Sequence, residues 1–368
     1  MPSPACYNVP RRRSARESRL AVFREIRLER RVSSDLLALW DSLIRRDPAG
    51  RGLISSEAVR GPLCPGHFAM AARDLADRGK AVAIVTGFFI PHAEPPAAET
   101  DGPPGAALLA AALKAVGIDC RLITDPWCAA AVTAAAEAMG LDRSTVLTAP
   151  ARCSGWVDEF LGSPFGRSLT HLVSIERVGP SHTLESLAAQ RRDGSVPRDE
   201  FESSVPVETR SSSHNMRARI IDEWTGDLYR LFERVQEKRP DVRTIGVGDG
   251  GNELGMGSIP WEELVARVER ENSARIPCRI ATDWTIIAGT SNWGGAALAA
   301  AVCQLKGRGD ALKSWTCRQQ ETALQHLVDR GPAVDGITGR AQATVDGLPF
   351  ITYIQPWRSI RESLGMEP

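Results

Sequence analysis

Short apolar, β-branched runs recur along the chain with helical stretches between them, and this alternation limits the fold more than any other feature. The runs are Ala81–Thr86, Cys120–Thr124, Thr145–Thr148, His171–Ile175, Val242–Val247, Trp284–Ala288 and Phe350–Ile354. Each has the length of a strand and is apolar enough to be covered on both faces. Apolar residues at helical spacing occupy Asp35–Arg46, Gly66–Arg78, Pro104–Val116, Cys128–Met139, Ile220–Lys238, Trp261–Glu271, Gly294–Lys306 and Asp310–Arg330. Strands separated by helices join through right-handed crossovers. The expected fold is therefore α/β: a mainly parallel, Rossmann-like sheet with helices on both faces. Sheets of this kind bind ligands beyond the carboxyl ends of their strands, so those ends are where chemistry is sought.

Residues 1–33 are arginine-rich and lack an apolar stretch, which predicts a basic, flexible tail rather than a secretory signal. Residues 34–368 read as one domain, with a polar, proline-containing lid or insertion at 177–213. Lysine plus arginine equals aspartate plus glutamate at 45 each, so no overall field draws nucleic acid. The longest uncharged run, from Thr285 to Leu305, is rich in glycine and alanine and reads as a buried loop and helix, not a membrane span. Eight cysteines form no CxxC pair and six histidines no HExxH pattern, which points to reduced thiols in the cytoplasm and away from a zinc hydrolase. Such a chain is expected to take a small molecule as partner, with a homo-oligomer left open.

Two glycine-rich stretches stand after strand-like runs. In the first, Thr86 and Gly87 end a run, and a proline-stiffened excursion leads to Glu99-Thr100-Asp101-Gly102 before Pro104 opens a helix. Asp101 near that helix N-terminus suits a capping carboxylate, but Glu99 and Thr100 beside it point to function as well. The second, Gly246-Val-Gly-Asp-Gly-Gly251, matches GxGxxG. The acidic residue expected about twenty positions later has only Glu269 and Glu271 as candidates. Asp249, Asn252 and Glu253 lie on backbone that Gly248, Gly250 and Gly251 leave bare, where they can meet an ammonium, a hydroxyl or a metal. Around Ser291 and Asn292 a polar turn precedes an alanine-rich helix whose N-terminus suits a carboxylate. Arg217, after His214 and Asn215, suits a bidentate carboxylate clamp.

Four patches together, ETDGPPGA (99–106), SIERVGPS (174–181), GVGDGGNELGMG (246–257) and AGTSNWGG (288–295), resemble the C-terminal region of the D-glutamate cyclase family. They occur in the same order, and the similarity runs from about Ala81 to Leu305. The larger members also carry a hydro-lyase-like N-terminal half, which has no counterpart here. The resemblance implies a carbon–oxygen lyase that dehydrates D-glutamate, or a related small amino acid, to 5-oxo-D-proline. In a eukaryote it implies the mitochondrial matrix. Ser211–His214 replaces the family's acidic, Gly- and Tyr-rich approach to Asn215-Met-Arg217, which keeps a different substrate open. The catalytic candidates are Asp249, Glu99, Asp101 and Glu253. The substrate-binding candidates are Thr86, Gly87, Thr100, Gly102, Arg217, Gly248, Gly250, Gly251, Asn252, Ser291 and Asn292. No organic cofactor is expected, since none of the four patches contains a lysine for pyridoxal phosphate. A divalent metal is allowed, and it would use Glu99, Asp101 and Asp249. The rival reading is a non-catalytic module of Rossmann type that binds a ligand or a nucleotide. Converging carboxylates at 99, 101 and 249 would argue against it.

Overall fold

A computed structural model describes residues 34–268 and 270–367. The basic segment 1–33 and Glu269 lie outside these residues. Six strands form the main sheet: β1 (Ala81–Thr86), β2 (Asp119–Thr124), β3 (Val146–Thr148), β4 (His171–Ile175), β5 (Arg243–Gly248) and β6 (Trp284–Ile287). Their order is β3-β2-β1-β4-β5-β6, and every neighbouring pair is parallel. This is the doubly wound Rossmann order, whose direction reverses between β1 and β4. The loops leaving those two strands diverge and open a crevice. The 99–106 and 174–181 patches lie on them.

Among the described residues, nine longer helices flank the sheet: α1 (34–44), α2 (His67–Arg78), α3 (Pro103–Ala115), α4 (Ala129–Ala138), α5 (Ser154–Gly162), α6 (Tyr229–Lys238), α7 (Ser291–Leu305), α8 (Cys317–Arg330) and α9 (Gln355–Ser363). The strand period of two sorts the core. Val82 and Ile84 pack with Phe68, Leu109, Val132, Ala297 and Leu324 on one face. Ala83 and Val85 pack with Val157 and Leu231 on the other. Helix α3 is buried from Pro103 to Leu113, which explains its lack of a polar stripe. It crosses α7 so closely that a Cβ on Gly295 would lie 2.9 Å from the Gly105 carbonyl. The small residues of two sequence patches thus serve a helix crossing, and that crossing fixes the spacing of the two loops.

Six strand-like runs are strands within a residue or two of their expected ends. Phe350–Ile354 is not one: Phe350–Tyr353 is a helical turn. In that turn Ile351 faces outward while Tyr353 and Ile354 are buried, and the Tyr353 carbonyl accepts from Trp293 Nε1 at 2.7 Å. A five-residue apolar run carries too little periodicity to separate the two states. Three helices are shorter than their patterns. Helix α6 begins at Tyr229 rather than near Ile220, because a 3-10 turn at Asp222–Trp224 and then Gly226 intervene. The Asp310–Arg330 pattern divides into a 3-10 turn at Gly309–Ser314 and α8, which Thr316 caps. Among the described residues of Trp261–Glu271 only Trp261–Val265 is α-helical.

Within 177–213 the short helices Leu184–Ala189 and Arg198–Ser204 bury Leu187, Phe201 and Val205 against Trp261. His182, 1% exposed, anchors the start of this segment, with Nδ1 3.0 Å from Ser186 Oγ. Burial, and then the positive charge of Arg279 and Arg192, push its imidazole down to about 3. An unfolded histidine titrates near ~6.5, so the unfolded chain takes up the proton first. This contribution to stability is complete above that pH and is lost as pH falls from there towards 3. His182→Gln is expected to flatten the acid limb of melting temperature against pH below ~6.5. An identical acid limb in the variant would refute the assignment.

Candidate active site

The carboxyl ends of β1, β4 and β5 deliver five acids to one place. Glu99 and Asp101 come from the loop after β1, Glu176 directly from the end of β4, and Asp249 and Glu253 from the glycine-rich loop after β5. A sixth, Asp346, comes from the far end of the chain. It forms an Asp-Gly turn with φ of 53° at Asp346 and 73° at Gly347, joining Thr344–Val345 to Leu348–Pro349. All six are at most 6% exposed. Gly102 is required here: its φ is +99°, and a Cβ would lie 2.8 Å from Glu176 Cβ and 2.9 Å from Thr86 Oγ1.

Arg51, from the loop between α1 and α2, enters the middle of this cluster. Asp47 shapes that loop by accepting the Arg51 and Gly52 amide hydrogens, each at 2.8 Å. The Arg51 guanidinium pairs with Asp249 through Nη1 and with Asp346 through Nη2. Burial works against its charge, but Asp346, Glu176, Asp101 and Glu253 outweigh it and raise its pKa further.

One guanidinium does not balance six buried carboxylates, so protons are retained. Burial, then Glu176, Asp346 and Asp101, push the Glu99 carboxyl well above the usual carboxylate range against the opposing pull of Arg51. Glu176 is raised well above its ordinary value by burial, Glu253 and Asp101. Asp101 is pushed up to about 7 by burial and Asp346, despite Arg51 and two backbone donors. Burial also raises Glu253 and Asp346.

Several candidates turn out to hold the site rather than face it. Asp101 caps α7, not its own helix: its carboxylate accepts from the Ser291 and Asn292 amides, both at 2.8 Å. The helix N-terminus expected to meet a substrate carboxylate therefore meets Asp101. Asn292 Oδ1 accepts from the amides of Gly102 and Gly105 at 3.0 and 2.8 Å, and its Nδ2 donates to the Thr100 carbonyl. Thr100 donates to the Thr344 carbonyl, and Ser291 donates to Glu176 at 2.6 Å. The Gly87 carbonyl accepts from Arg177. Glu253 accepts the amide hydrogens of Asp249, Gly250 and Gly251 at 3.0, 2.6 and 2.7 Å. Those are the amides a phosphate would need in a GxGxxG loop, and a carboxylate of the chain itself fills them. A Cβ on Gly248 would lie 2.8 Å from the Glu253 carboxyl carbon, so this glycine serves the internal contact.

Facing open space are Glu99, Asp249, Asn252 and Arg217, with Arg51, Glu176, Asn215, Met216 and Arg270, around a cavity of about 80 Å³. Glu99 Oε1 and both Asp249 oxygens accept no hydrogen bond there and Asn215 Nδ2 donates none, although Asp249 has its ion pair with Arg51. A larger groove of about 500 Å³, bordered by Gln190, Gln236 and Arg279, offers one carboxylate, Glu233, already paired with Arg279 at 2.6 Å.

Of these residues, Arg51 and Asp346 carry no motif. Asp346 is announced only as a turn, and Arg51 as one arginine among many. Glu176 had a positional signal, an acid immediately after a strand-like run and inside the 174–181 patch.

A family model described as D-glutamate cyclase-like, C-terminal, matches residues 41–210 and 205–357. The chain belongs to that family. It is also similar to the mitochondrial D-glutamate cyclase of Homo sapiens, 30% identical over 338 aligned residues, covering 84% of this chain and 48% of the relative. The chain thus spans about half the length of that curated relative. The matched ranges of this D-glutamate cyclase-like domain include Arg51 and all six acids. Among the described residues, no helix is long and apolar enough to cross a membrane.

Proposed function

We propose that this D-glutamate cyclase-like domain dehydrates D-glutamate, or a closely related small amino acid, to the five-membered lactam 5-oxo-D-proline. The observation that carries this reading is a buried carboxyl, Glu99, held well above the usual carboxylate range, and an ion-paired carboxylate, Asp249, facing one small cavity beside Arg217 and Arg270. In the reaction the α-nitrogen bonds to the γ-carboxyl carbon, and one of that carboxyl's C–O bonds breaks. Two protons leave the ammonium, and both depart with the lost oxygen as water. Asp249 orients the ammonium and accepts a proton from it. Glu99, kept neutral by its neighbours, donates to the leaving oxygen. Arg217 and Arg270 hold the substrate carboxylates.

A cavity of about 80 Å³ suits a small amino acid and is far below the ~300–1,000 Å³ common for larger ligands. With Glu253 on the loop amides, this weighs against the nucleotide-binding alternative. The test is incubation of purified protein with D-glutamate and with L-glutamate, resolving 5-oxoproline by chiral chromatography. 5-Oxo-D-proline is expected from the D-enantiomer, with L-glutamate turned over more slowly or not at all. No turnover of either enantiomer, with or without added Mn²⁺, overturns the proposal.

A further inference from the structure

Asn215 is 5% exposed and lines the cavity, yet its Nδ2 has no hydrogen-bond partner among the described residues. Its own loop settles which end of the amide is free. Asn215 Oδ1 accepts the amide hydrogens of Arg217 and Arg219 at 2.9 and 3.1 Å. Turning the amide over would set donor against donor at both contacts, so the nitrogen is the end left for a ligand. We infer that Asn215 is a further catalytic residue, whose Nδ2 donates to the γ-carboxyl oxygen that stays with the product and stabilises the negative charge gathering there. The inference rests on the lactam-forming reaction proposed above.

The backbone around Asn215 holds it in place. Its amide donates to the Arg219 carbonyl at 3.0 Å and its carbonyl accepts from Ala218 at 2.9 Å, closing a turn with φ of 54° at Ala218. His214 and Ile220 pair as an antiparallel bridge at the base of that turn, and Asp222 Oδ1 accepts the Ser213 amide hydrogen at 2.7 Å. Asn252 Nδ2 donates to the His214 carbonyl at 2.8 Å, which ties the turn to the glycine-rich loop carrying Asp249. A donor fixed in this way needs no reorganisation as charge develops in front of it.

The unpartnered atoms around the cavity match the reacting amino acid. Glu99 Oε1 accepts no hydrogen bond and Asn215 Nδ2 donates none, yet the two do not satisfy each other. The gap between them suits a molecule that turns its ammonium to Asp249 and its γ-carboxyl to Glu99 and Asn215. Arg217 and Arg270 are exposed and meet standing charge, whereas Asn215 offers a neutral, buried donor. When the α-nitrogen attacks, the π pair of the γ C=O bond moves onto the oxygen that stays. That pair returns as the C–O bond to the departing oxygen breaks, and Asn215 neither gains nor loses a proton. Its hydrogen bond is strongest at the tetrahedral stage, so it acts on kcat more than on KM.

Asn215→Ser in the full chain tests this, because the hydroxyl keeps an oxygen for the Arg217 amide and removes the nitrogen. The kcat for D-glutamate should fall about 10²–10³-fold, the scale of one such donor, with KM nearly unchanged. Calorimetry supplies a readout that needs no turnover, since 5-oxo-D-proline keeps the carbonyl oxygen that Nδ2 meets and D-proline lacks it. The variant should bind 5-oxo-D-proline about fivefold more weakly, the scale of one lost hydrogen bond, and D-proline as the wild type does. Asn215→Asp, of unchanged size, carries the same kcat test should the serine variant fold poorly. An undiminished kcat beside a wild-type chain that turns over D-glutamate overturns the inference and leaves the reaction standing. Equal weakening of both ligands, or of neither, also overturns it. Selective weakening in a chain that turns over neither enantiomer overturns the reaction, and with it the catalytic role, while keeping Nδ2 as the donor to the ligand's carbonyl.

Discussion

Asp249→Asn is expected to lower turnover of D-glutamate by roughly 10²-fold or more while leaving the melting temperature at neutral pH unchanged or higher. The rate loss is the scale of one general acid–base contribution, and Asp249 faces the cavity in an ion pair with Arg51. The stability half follows from burial. Asp249 is not an exposed loop carboxylate, as its place between two glycines implies, but is 3% exposed among five other acids. Removing its charge relieves repulsion across the cluster, and Arg51 keeps Asp346 as its partner. The substitution preserves size, so packing around Gly248 and Gly250 is undisturbed. Turnover and melting temperature measured on one preparation decide the matter. A normally active variant removes Asp249 from the chemistry, and a large drop in melting temperature contradicts the charge argument.

Arg177→Met is expected to cost about 3–5 kcal/mol, the largest stability loss among the substitutions considered. Arg177 is 1% exposed and pairs with Asp125, fully buried, at 2.7 Å. It also donates to the carbonyls of Gly87 at 2.8 Å and Gly226 at 2.6 Å. Methionine keeps the length but leaves a buried carboxylate without its cation and two carbonyls without their donor. Adding Asp125→Asn should recover part of the loss by removing the orphaned charge: the amides of Trp127 and Cys128 keep the remaining side-chain oxygen, while the Gly226 amide loses its acceptor. Chemical denaturation of both single variants and the double variant gives the coupling directly. Additive losses would show that the pair is not the source. Arg177 also immobilises its neighbour Glu176, whose φ of 46° is left-handed, so turnover should fall with stability.

The architecture was legible in the residues because a doubly wound sheet writes itself locally. AVAIVT at 81–86 and HLVSI at 171–175 are continuous apolar runs, as strands buried on both faces require. That Glu99, Asp101, Asp249 and Glu253 share a location also followed from sequence, because each stands after a strand and all the strands run one way. Which of them faces a ligand did not follow. Asp101 beside Pro103 looks like a cap for α3, yet its carboxylate meets the amides of Ser291 and Asn292, nearly two hundred positions away. Glu253 looks free on a glycine loop, but it turns back onto three amides of that loop, a choice set by burial that denies those amides water.

Arg51 and Asp346 complete the site from opposite ends of the described chain, and only the packing of α1 and of the Thr344–Pro349 hairpin against the strand ends brings them together. Local patterns record which backbone hydrogen bonds a segment can make with itself. The partners of a buried charge are chosen by whichever segments the closed core leaves within a few ångströms, and that choice exists only once the chain has folded.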